Sequence, residues 1–265
     1  MKYISSKNNS IFKNISKLSS SSKKRKQTKS FLVEGIKFIE MCHSNKFNFI
    51  EIIICSEIIS NENLNFIKKN FEYFNLFDFS KKLFDDISYK KNEDGILAIV
   101  QNKNNSIDDF KLSKNPYILV VESPEKPGNI GALLRTADAA GMDGLIIANP
   151  KTELYNPNTI RSSLGSLFSM QIATDSAENV INFLTKNDIQ ICSTYVEKSK
   201  NYLDINYSKP CAIVIGKESS SLTSIWRNKS DELISIPMKG KMDSLNLSVC
   251  AAIVIFEGLK QRDDN

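Results

Sequence analysis

Histidine is nearly absent from this chain of 265 residues, since His43 is the only one. A single histidine argues against Ser-His-Asp and Cys-His catalytic arrangements and against metal sites built from several histidines. Cysteine is also scarce, because the five cysteines are odd in number and never spaced as C-x-x-C. That pattern disfavours a disulfide framework or a zinc knuckle and indicates a reducing compartment. The sequence therefore predicts chemistry that depends on neither histidine nor a bound metal.

Long apolar runs are missing as well. No stretch approaches the roughly 18 apolar residues that a membrane span needs. The first residues lead into Ser, Asn and Lys rather than into an apolar signal segment, so we expect a cytoplasmic protein with no membrane partner. With 41% hydrophobic and 25% charged residues, the composition is that of an ordinary globular chain. A chain of this length is expected to form about two domains.

Acidic residues are absent from the first 30 positions, which hold nine lysines and arginines. Because the whole chain carries a net charge of +5, the remaining 235 residues sum to −4. A basic end on a slightly acidic body indicates contact with a polyanion, although a solvated helix face in a lysine-rich protein is the alternative. The densest basic run, our candidate for that polyanion contact, is Lys23, Lys24, Arg25 and Lys26. Four apolar residues at helical spacing predict a docked amphipathic helix before this run: Ile11, Phe12, Ile15 and Leu18.

From residue 31 onward, short apolar strands alternate with helices. We expect strands at 31–33, 49–55, 72–79 and 95–100, and helices at 35–45, 61–71 and 81–87. This alternation predicts a small α/β domain over residues 1–101. Residues 102–116 are polar and end at Pro116, which predicts a linker between two domains.

Beyond this linker the predicted strands are continuous apolar runs, at 117–121, 145–148, 189–194, 211–215 and 233–237. Strands without polar alternation are covered on both faces, which predicts a mostly parallel sheet between layers of helices. The helices are expected at 130–141, about 157–168, 176–187, 220–228 and 248–260. Residues 117–265 are therefore predicted to form a second, larger α/β domain.

Three polar segments follow three of these buried strands, and ligands of open α/β sheets bind beyond the carboxyl ends of strands. The first segment, P-G-N-I-G-A-L-L-R-T-A at 127–137, lacks the G-x-G-x-x-G signature of dinucleotide binding. It opens a helix and carries Asn129 and Arg135. Taken alone, a surface ion pair between Arg135 and Asp138 is the simpler explanation of this arginine.

The second segment, I-V-I-G-K-E-S-S-S-L at 213–222, places Gly216 where a strand ends and backbone can approach a ligand closely. Glu218 follows two residues later, and its alternative role is a solvated glutamate beside a helix start. The third segment, I-P-M-K-G-K-M-D-S-L-N-L-S at 236–248, places Ser244 and Asn246 before an apolar helix. A turn followed by a helix cap is the alternative explanation there.

Taken together and in this order, the three segments resemble the SpoU-type branch of the SPOUT RNA methyltransferases. The shared pattern is N-x-G-x-x-x-R, then a strand followed by G-x-E, then I-P-M-x-G-x-x-x-S-L-N-x-S. The strings F-L-V-E-G at 31–35 and G-I-L-A-I-V at 95–100 are similar to strings in the N-terminal substrate-binding domain of that family. The resemblance thus covers nearly the whole chain.

This resemblance implies a fold, a cofactor and a reaction. The small N-terminal α/β domain would bind RNA, and the C-terminal domain would be a trefoil knot, an exception to the rule that chains avoid threading. S-adenosylmethionine would donate a methyl group to a ribose 2′-hydroxyl of RNA. No metal is expected, which agrees with the composition.

The resemblance also implies roles for individual residues. The catalytic positions are Arg135, Glu218, Ser244 and Asn246, with Asn129 supporting them. The positions that contact the cofactor are Gly216, Ile236, Met238 and Leu245. Arg161, in N-T-I-R-S-S-L-G at 158–165, matches a family segment near the RNA. One departure is Ser221, where the family usually has glycine, and serine costs about 1 kcal/mol if that turn requires a left-handed residue.

Three hypotheses about function are kept at this point. A separate N-terminal domain, rather than short basic tails, favours ribosomal RNA over transfer RNA as the substrate. A binding protein of the same fold without activity is the third hypothesis, and the presence of the whole catalytic set favours an enzyme over it.

We also predict a homodimer. The last predicted helix, 248–260, is apolar around most of its circumference, and such a helix must be buried on nearly all sides. Members of the family that it resembles bury this helix partly in a twofold interface.

Overall fold

The computed structural model describes residues 1–71, 74–89, 94–216 and 221–263. The chain divides into two compact units. The first comprises Met1–Lys103 together with Tyr155–Pro157, and the second comprises Asn104–Leu154 and Asn158–Asn265. Each unit has its own sheet with helices packed on it, so the predicted α/β class is confirmed.

The first unit is built on a mixed sheet of five strands. Its strands are β1 (Lys2–Ile4), β2 (Ser30–Glu34), β3 (Phe49–Ile54), β4 (Leu76–Phe79) and β5 (Ile96–Gln101). Its helices are α1 (Ser10–Ser20), α2 (Ser22–Thr28), α3 (Ile36–Ser44), α4 (Asn61–Asn70) and α5 (Lys81–Ile87). The strand order is β1-β4-β3-β5-β2. The first three strands in this order are parallel, and β5 is antiparallel to both of its neighbours.

The amphipathic N-terminal helix is confirmed as α1. Its buried residues are Phe12, Ile15 and Leu18, and they join the core that α5 also covers. The helix begins after Asn9, whose side-chain oxygen accepts a hydrogen bond from the Ile11 backbone N–H at 2.9 Å. The short strand β1 precedes it and was not predicted. With three residues, of which only Ile4 is buried, β1 is too short to show an alternating pattern.

The second unit is built on a seven-stranded sheet. Its strands are β6 (Tyr117–Glu122), β7 (Gly144–Ala148), β8 (Gln171–Asp175), β9 (Gln190–Thr194), β10 (Lys200–Asn201), β11 (Cys211–Ile215) and β12 (Glu232–Ser235). Its helices are α6 (Pro127–Ala139), α7 (Pro157–Ser162), α8 (Ser166–Ser169), α9 (Ala177–Lys186), α10 (Ser224–Lys229) and α11 (Leu247–Asp263). The order is β10-β12-β9-β11-β6-β7-β8, and each of these pairings is parallel. The mostly parallel sheet is therefore confirmed.

Helices cover both faces of this sheet. On one face, Val180 of α9 and Trp226 of α10 pack with Ile118 and Val120 of β6 in a single core. Tyr117 precedes Ile118 and, because side chains alternate along a strand, faces the other side. There its hydroxyl donates to the Ile255 carbonyl of α11 at 2.9 Å. The helix α11 in turn packs against α6.

Two predictions for the second unit differ from the structure. Residues 102–116 were expected to be a linker, yet Ile107 and Phe110 are buried in the core of this unit, and the Thr174 N–H donates to the Asn105 carbonyl at 2.8 Å. Because the segment is mostly polar, its composition does not indicate that these two apolar residues are buried. The strands β8 and β10 were also missed, because β8 is mostly half-buried and β10 has two residues.

The last helix is buried along one stripe within the chain, rather than on nearly all sides. This stripe contains Leu247, Ala251, Val254, Ile255 and Gly258. Val249 and Phe256 remain 46% and 47% exposed. None of the helices in the part of the chain that the structure describes is long and apolar enough to cross a membrane. The trefoil knot stays a prediction.

Candidate active site

The three polar segments singled out in the sequence leave the sheet at the same edge. Because β6, β11 and β12 belong to one parallel sheet, their carboxyl ends point the same way. Ile215 pairs with Val121, so Gly216 follows β11 beside the end of β6. The strand β9 separates β11 from β12, and its Thr194 pairs with Ile234 just before Ile236. The fold thus brings the segments that begin at 123, 216 and 236 to one edge.

The first segment leads into α6, which begins at Pro127, and Asn129 lies half-buried in its first turn. Arg135 is exposed, off the buried stripe of this helix. Within residues 1–71, 74–89, 94–216 and 221–263, no hydrogen bond or ion pair joins Arg135 to another side chain, and Asp138 instead accepts a hydrogen bond from Ser169 at 3.5 Å. A surface pair of Arg135 with Asp138 is therefore not formed, which leaves the guanidinium available to a ligand.

Asn246 caps the start of α11. Its side-chain oxygen accepts from the Ser248 N–H at 2.9 Å and from the Ser248 hydroxyl at 2.7 Å. These two bonds fix the amide, and its nitrogen makes no hydrogen bond to any residue in the described ranges. Ser244 is exposed two residues earlier. The end of the third segment therefore offers a fixed amide donor and an exposed hydroxyl.

The cofactor positions are chemically suited to S-adenosylmethionine, which has a nucleoside and an aliphatic amino-acid arm. Gly216 is buried and has no side chain to block an approach to its backbone. Ile236 and Met238 are half-buried, and Leu245 is 40% exposed, so all three have apolar surface left to cover. In the described part of the chain, no group of three or more His, Cys, Asp and Glu side chains could hold a metal ion.

Glu218, the remaining catalytic candidate, lies outside the described residues. Cys250, in the first turn of α11, is half-buried, and its thiol lies 3.8 Å from the Leu245 carbonyl oxygen. Burial raises the pKa of the Cys250 thiol above its usual range. This cysteine is therefore a protonated thiol near neutral pH and not a nucleophile.

Glu122 is a polar residue of this edge that the sequence reasoning missed. It ends β6, is 3% exposed, and accepts three hydrogen bonds through its carboxylate. Two come from the N–H and the hydroxyl of Thr223, at 2.9 and 2.7 Å, and one comes from the amide of Asn149 at 3.4 Å. The available signal was an acidic residue placed directly after a continuous apolar strand.

Arg161 lies on α7, close to the start of α6. Its guanidinium donates to the Asn158 side chain, and it is half-buried. The Thr159 hydroxyl donates to the Pro127 carbonyl at 3.1 Å, which ties the first turn of α7 to the first turn of α6. Arg161 thus lies on a helix that is tied directly to the helix of Arg135.

The four basic residues of α2 do not share one environment. Lys23 and Lys26 are exposed and Lys24 is half-exposed, as expected for phosphate contacts. Arg25 corrects the prediction, because it is 5% exposed and its guanidinium donates to the carbonyls of Leu18 and Ser19, at 2.5 and 3.1 Å. Those carbonyls end α1, so Arg25 caps that helix instead of facing RNA.

Comparison with known proteins matches residues 116–256 to the SpoU rRNA Methylase family and residues 8–98 to an MRM3-like substrate binding domain. The chain is 26% identical to the 23S rRNA (guanosine(2553)-2′-O)-methyltransferase RlmP of Bacillus subtilis over 97% of this chain and 98% of that protein. It is 31% identical to the 23S rRNA (uridine(2479)-2′-O)-methyltransferase of Streptomyces viridochromogenes over 63% of this chain and 60% of that protein. A crystal structure of an AdoMet-bound rRNA methyltransferase from Sinorhizobium meliloti superposes with a TM-score of 0.90 and 26% identity, over 98% of this chain and 97% of that one.

Proposed function

The chain belongs to the SpoU rRNA methylase family, and from this premise we propose that it methylates a ribose 2′-hydroxyl of ribosomal RNA with S-adenosylmethionine. The single observation that carries the proposal is the edge of the second sheet, where the segments after β6, β11 and β12 converge. The segment after β6 carries Arg135, whose guanidinium makes no hydrogen bond or ion pair to another described side chain, and the segment after β12 carries the amide donor of Asn246 and apolar positions for the cofactor.

The residues of the chain have to orient a hydroxyl and stabilise the negative charge that develops on its oxygen. S-adenosylmethionine, when bound, supplies a methyl group that is already activated by the sulfonium. Arg135 then donates hydrogen bonds to the 2′-oxygen and the neighbouring phosphate, because a guanidinium suits both groups. The fixed amide of Asn246 and the hydroxyl of Ser244 add further donors, and Asn129 supports them. Glu218 either orients Arg135 or receives the proton through water.

The cofactor is held by four positions at this edge. Gly216 offers backbone N–H and carbonyl groups at the end of β11, where the lack of a side chain permits close approach. Apolar contacts come from Ile236, Met238 and Leu245, whose exposed surface is covered on binding. Burying such surface contributes about 25 cal/mol for each Å². The proposed reaction requires no metal ion.

The first unit binds the RNA substrate in this proposal. The match to an MRM3-like substrate binding domain supports it, and so do the exposed lysines of α2. Lys23, Lys24 and Lys26 contact phosphates, and Arg161 adds a contact from the second unit. The relatives named above act on 23S rRNA, which favours ribosomal over transfer RNA.

A homodimer completes the proposal. Val249 and Phe256 lie seven positions apart on α11, and are therefore on the same face of the helix. A second copy of this chain is the proposed cover for that face. The setting is the cytoplasm, where thiols stay reduced, and four of the five free cysteines are buried.

Methyl transfer to defined RNAs tests this function. Purified protein is incubated with labelled S-adenosylmethionine and either ribosomal or transfer RNA, and 2′-O-methyl positions are mapped by their resistance to alkaline cleavage. We expect label in ribosomal RNA at one nucleotide, and loss of that mark in cells without the gene. Label in transfer RNA alone would show that transfer RNA, and not ribosomal RNA, is the substrate. Cofactor binding without methyl transfer to either RNA would favour the hypothesis of an RNA-binding protein without activity.

A further inference from the structure

We propose that Glu122 is a positioning residue for the segment 216–222, which follows β11 and begins with the cofactor position Gly216. Glu122 acts on this segment through Thr223. This inference rests on the proposed function. Glu122 is 3% exposed, and a buried carboxylate is costly unless hydrogen-bond donors surround it. Both of its oxygens are engaged by Thr223, one by the N–H at 2.9 Å and the other by the hydroxyl at 2.7 Å.

The place of this contact in the fold gives it a consequence for the site. Gly216 follows β11, and Thr223 precedes α10, so the two residues bracket the segment that contains Glu218. Gly216 is fixed by the sheet, since Ile215 pairs with Val121. The bond to Glu122 fixes Thr223 at the end of the same β6 strand. Both ends of the segment are therefore anchored to one strand end.

Glu122 is itself held by a second polar residue. The Asn149 side chain donates to its carboxylate at 3.4 Å and accepts from the Ala177 N–H, at the start of α9, at 3.1 Å. Asn149 has a φ of 49°, a left-handed conformation that asparagine adopts more readily than most residues. The Ser123 hydroxyl also donates to the Asn149 carbonyl at 3.1 Å. These bonds make the end of β6 a rigid support.

The alternative is that Glu122 only caps α10 and stabilises the unit. The two roles make different predictions for Thr223, which is exposed and whose hydroxyl makes no cap bond of its own to α10. Replacing its hydroxyl by a methyl group therefore leaves core packing intact and weakens only the contact with Glu122. A purely stabilising contact lowers the unfolding temperature but does not change cofactor affinity in the fully folded protein.

The test compares Thr223→Val with Thr223→Ser and with a matched control, Thr174→Val. Thr174 lies near the end of β8, and its replacement by valine also removes one hydroxyl hydrogen bond, the one to the Asn105 carbonyl. The full-length proteins are titrated with S-adenosylmethionine by calorimetry well below their unfolding temperatures. We expect about tenfold weaker binding for Thr223→Val, the size of one hydrogen bond to a charged group. Thr223→Ser and Thr174→Val should stay within about threefold of wild type.

Hydrogen exchange of the Thr223 amide supplies a readout that does not depend on the cofactor. We expect it to be faster in Thr223→Val and in a second variant, Glu122→Gln, and unchanged in Thr174→Val. Wild-type cofactor affinity in Thr223→Val, or equal weakening in Thr174→Val, overturns the positioning role. If the wild-type protein binds no S-adenosylmethionine, the proposed function fails. The exchange rate then still decides whether Glu122 anchors Thr223.

Discussion

Gly131 of α6 and Ser162 of α7 lie closer together than any side chain at position 131 would allow. A Cβ atom on residue 131 would be 2.0 Å from the Ser162 hydroxyl oxygen, 2.6 Å from the Thr159 carbonyl oxygen and 2.7 Å from the Ser163 nitrogen. Two of these three atoms are backbone, so the overlap is relieved only when the helices separate. Gly131 therefore sets the distance between the helix of Arg135 and the helix of Arg161.

Gly131→Ala is expected to destabilise the protein and to slow methyl transfer. Overpacking of a tight contact costs about 1–3 kcal/mol, and the separation moves Arg135 and Arg161 apart. Chemical denaturation gives the free energy of unfolding, and single-turnover methylation gives the rate.

Gly128→Ala is the matched control on the same helix. A Cβ at position 128 meets nothing within 4 Å, so alanine there should be neutral or stabilising by up to about 1 kcal/mol. If both variants unfold alike, close packing at Gly131 has no energetic importance.

Arg25→Ala should lower the stability of the protein and leave the salt dependence of RNA binding unchanged. The substitution leaves the buried carbonyl of Leu18 and the partly buried carbonyl of Ser19 without this donor, which costs about 1–3 kcal/mol. Thermal unfolding of Arg25→Ala beside the wild-type protein measures the loss. A variant as stable as wild type would contradict the capping role.

Lys23→Ala combined with Lys26→Ala should act on RNA binding instead. Both side chains are exposed, so stability is expected to stay unchanged. Each lost phosphate contact reduces the slope of log K against log salt concentration by about 0.7 for single-stranded RNA. Filter binding at several salt concentrations gives the slope, and an identical slope for the double variant would exclude these lysines from the interface.

The strand and helix patterns of the sequence predicted most of the second sheet because its central strands are buried on both faces. The run from Tyr117 to Val121 and the run from Cys211 to Ile215 are examples, since every residue in them is buried. The two-residue β10 carries no such signal, because Lys200 is exposed and Asn201 only half-buried. Edge strands depend on their neighbours for their existence, which a single sequence does not display.

The site residues were predicted from residue types at motif positions alone. Such a prediction contains no information on contacts between distant segments, and Arg25 and Glu122 are two examples. Arg25 stands among three lysines, and its charge made it look like part of the same surface. Only the turn between α1 and α2 places its guanidinium on the carbonyls of Leu18 and Ser19. Glu122 has its main partner Thr223 about a hundred residues away, so no local pattern links them. Contacts between distant segments are what the sequence could not provide.

Phe256→Asp should convert the proposed dimer into a monomer. The Phe256 side chain is 47% exposed within the chain, and a carboxylate in the centre of an apolar interface would be buried without a partner. Sedimentation velocity at micromolar concentration reads the oligomeric state. Tyr89→Asp is the control, since Tyr89 is also an exposed aromatic residue, at 59%, and belongs to the first unit. A wild-type protein that sediments as a monomer would refute the dimer.

Arg135 carries the heaviest part of the proposed mechanism, and its replacement gives the sharpest prediction. Arginine stays protonated in proteins, so in the proposed mechanism Arg135 donates hydrogen bonds to the substrate and does not accept its proton. An interaction with the developing negative charge is stronger in the transition state than in the ground state. Arg135→Ala should therefore lower the rate of methyl transfer by about 10²–10³-fold, as the loss of one oxyanion donor does.

Affinity for S-adenosylmethionine should change little in Arg135→Ala, because the proposed cofactor contacts are Gly216, Ile236 and Leu245. Arg135→Lys should rescue the rate poorly, since lysine keeps the charge and loses the planar pair of donors. Asp138→Ala is the matched surface control on α6 and should transfer methyl groups at the wild-type rate. Single-turnover methylation at saturating RNA separates these outcomes. A rate for Arg135→Ala within threefold of wild type would show that the reaction does not depend on this guanidinium.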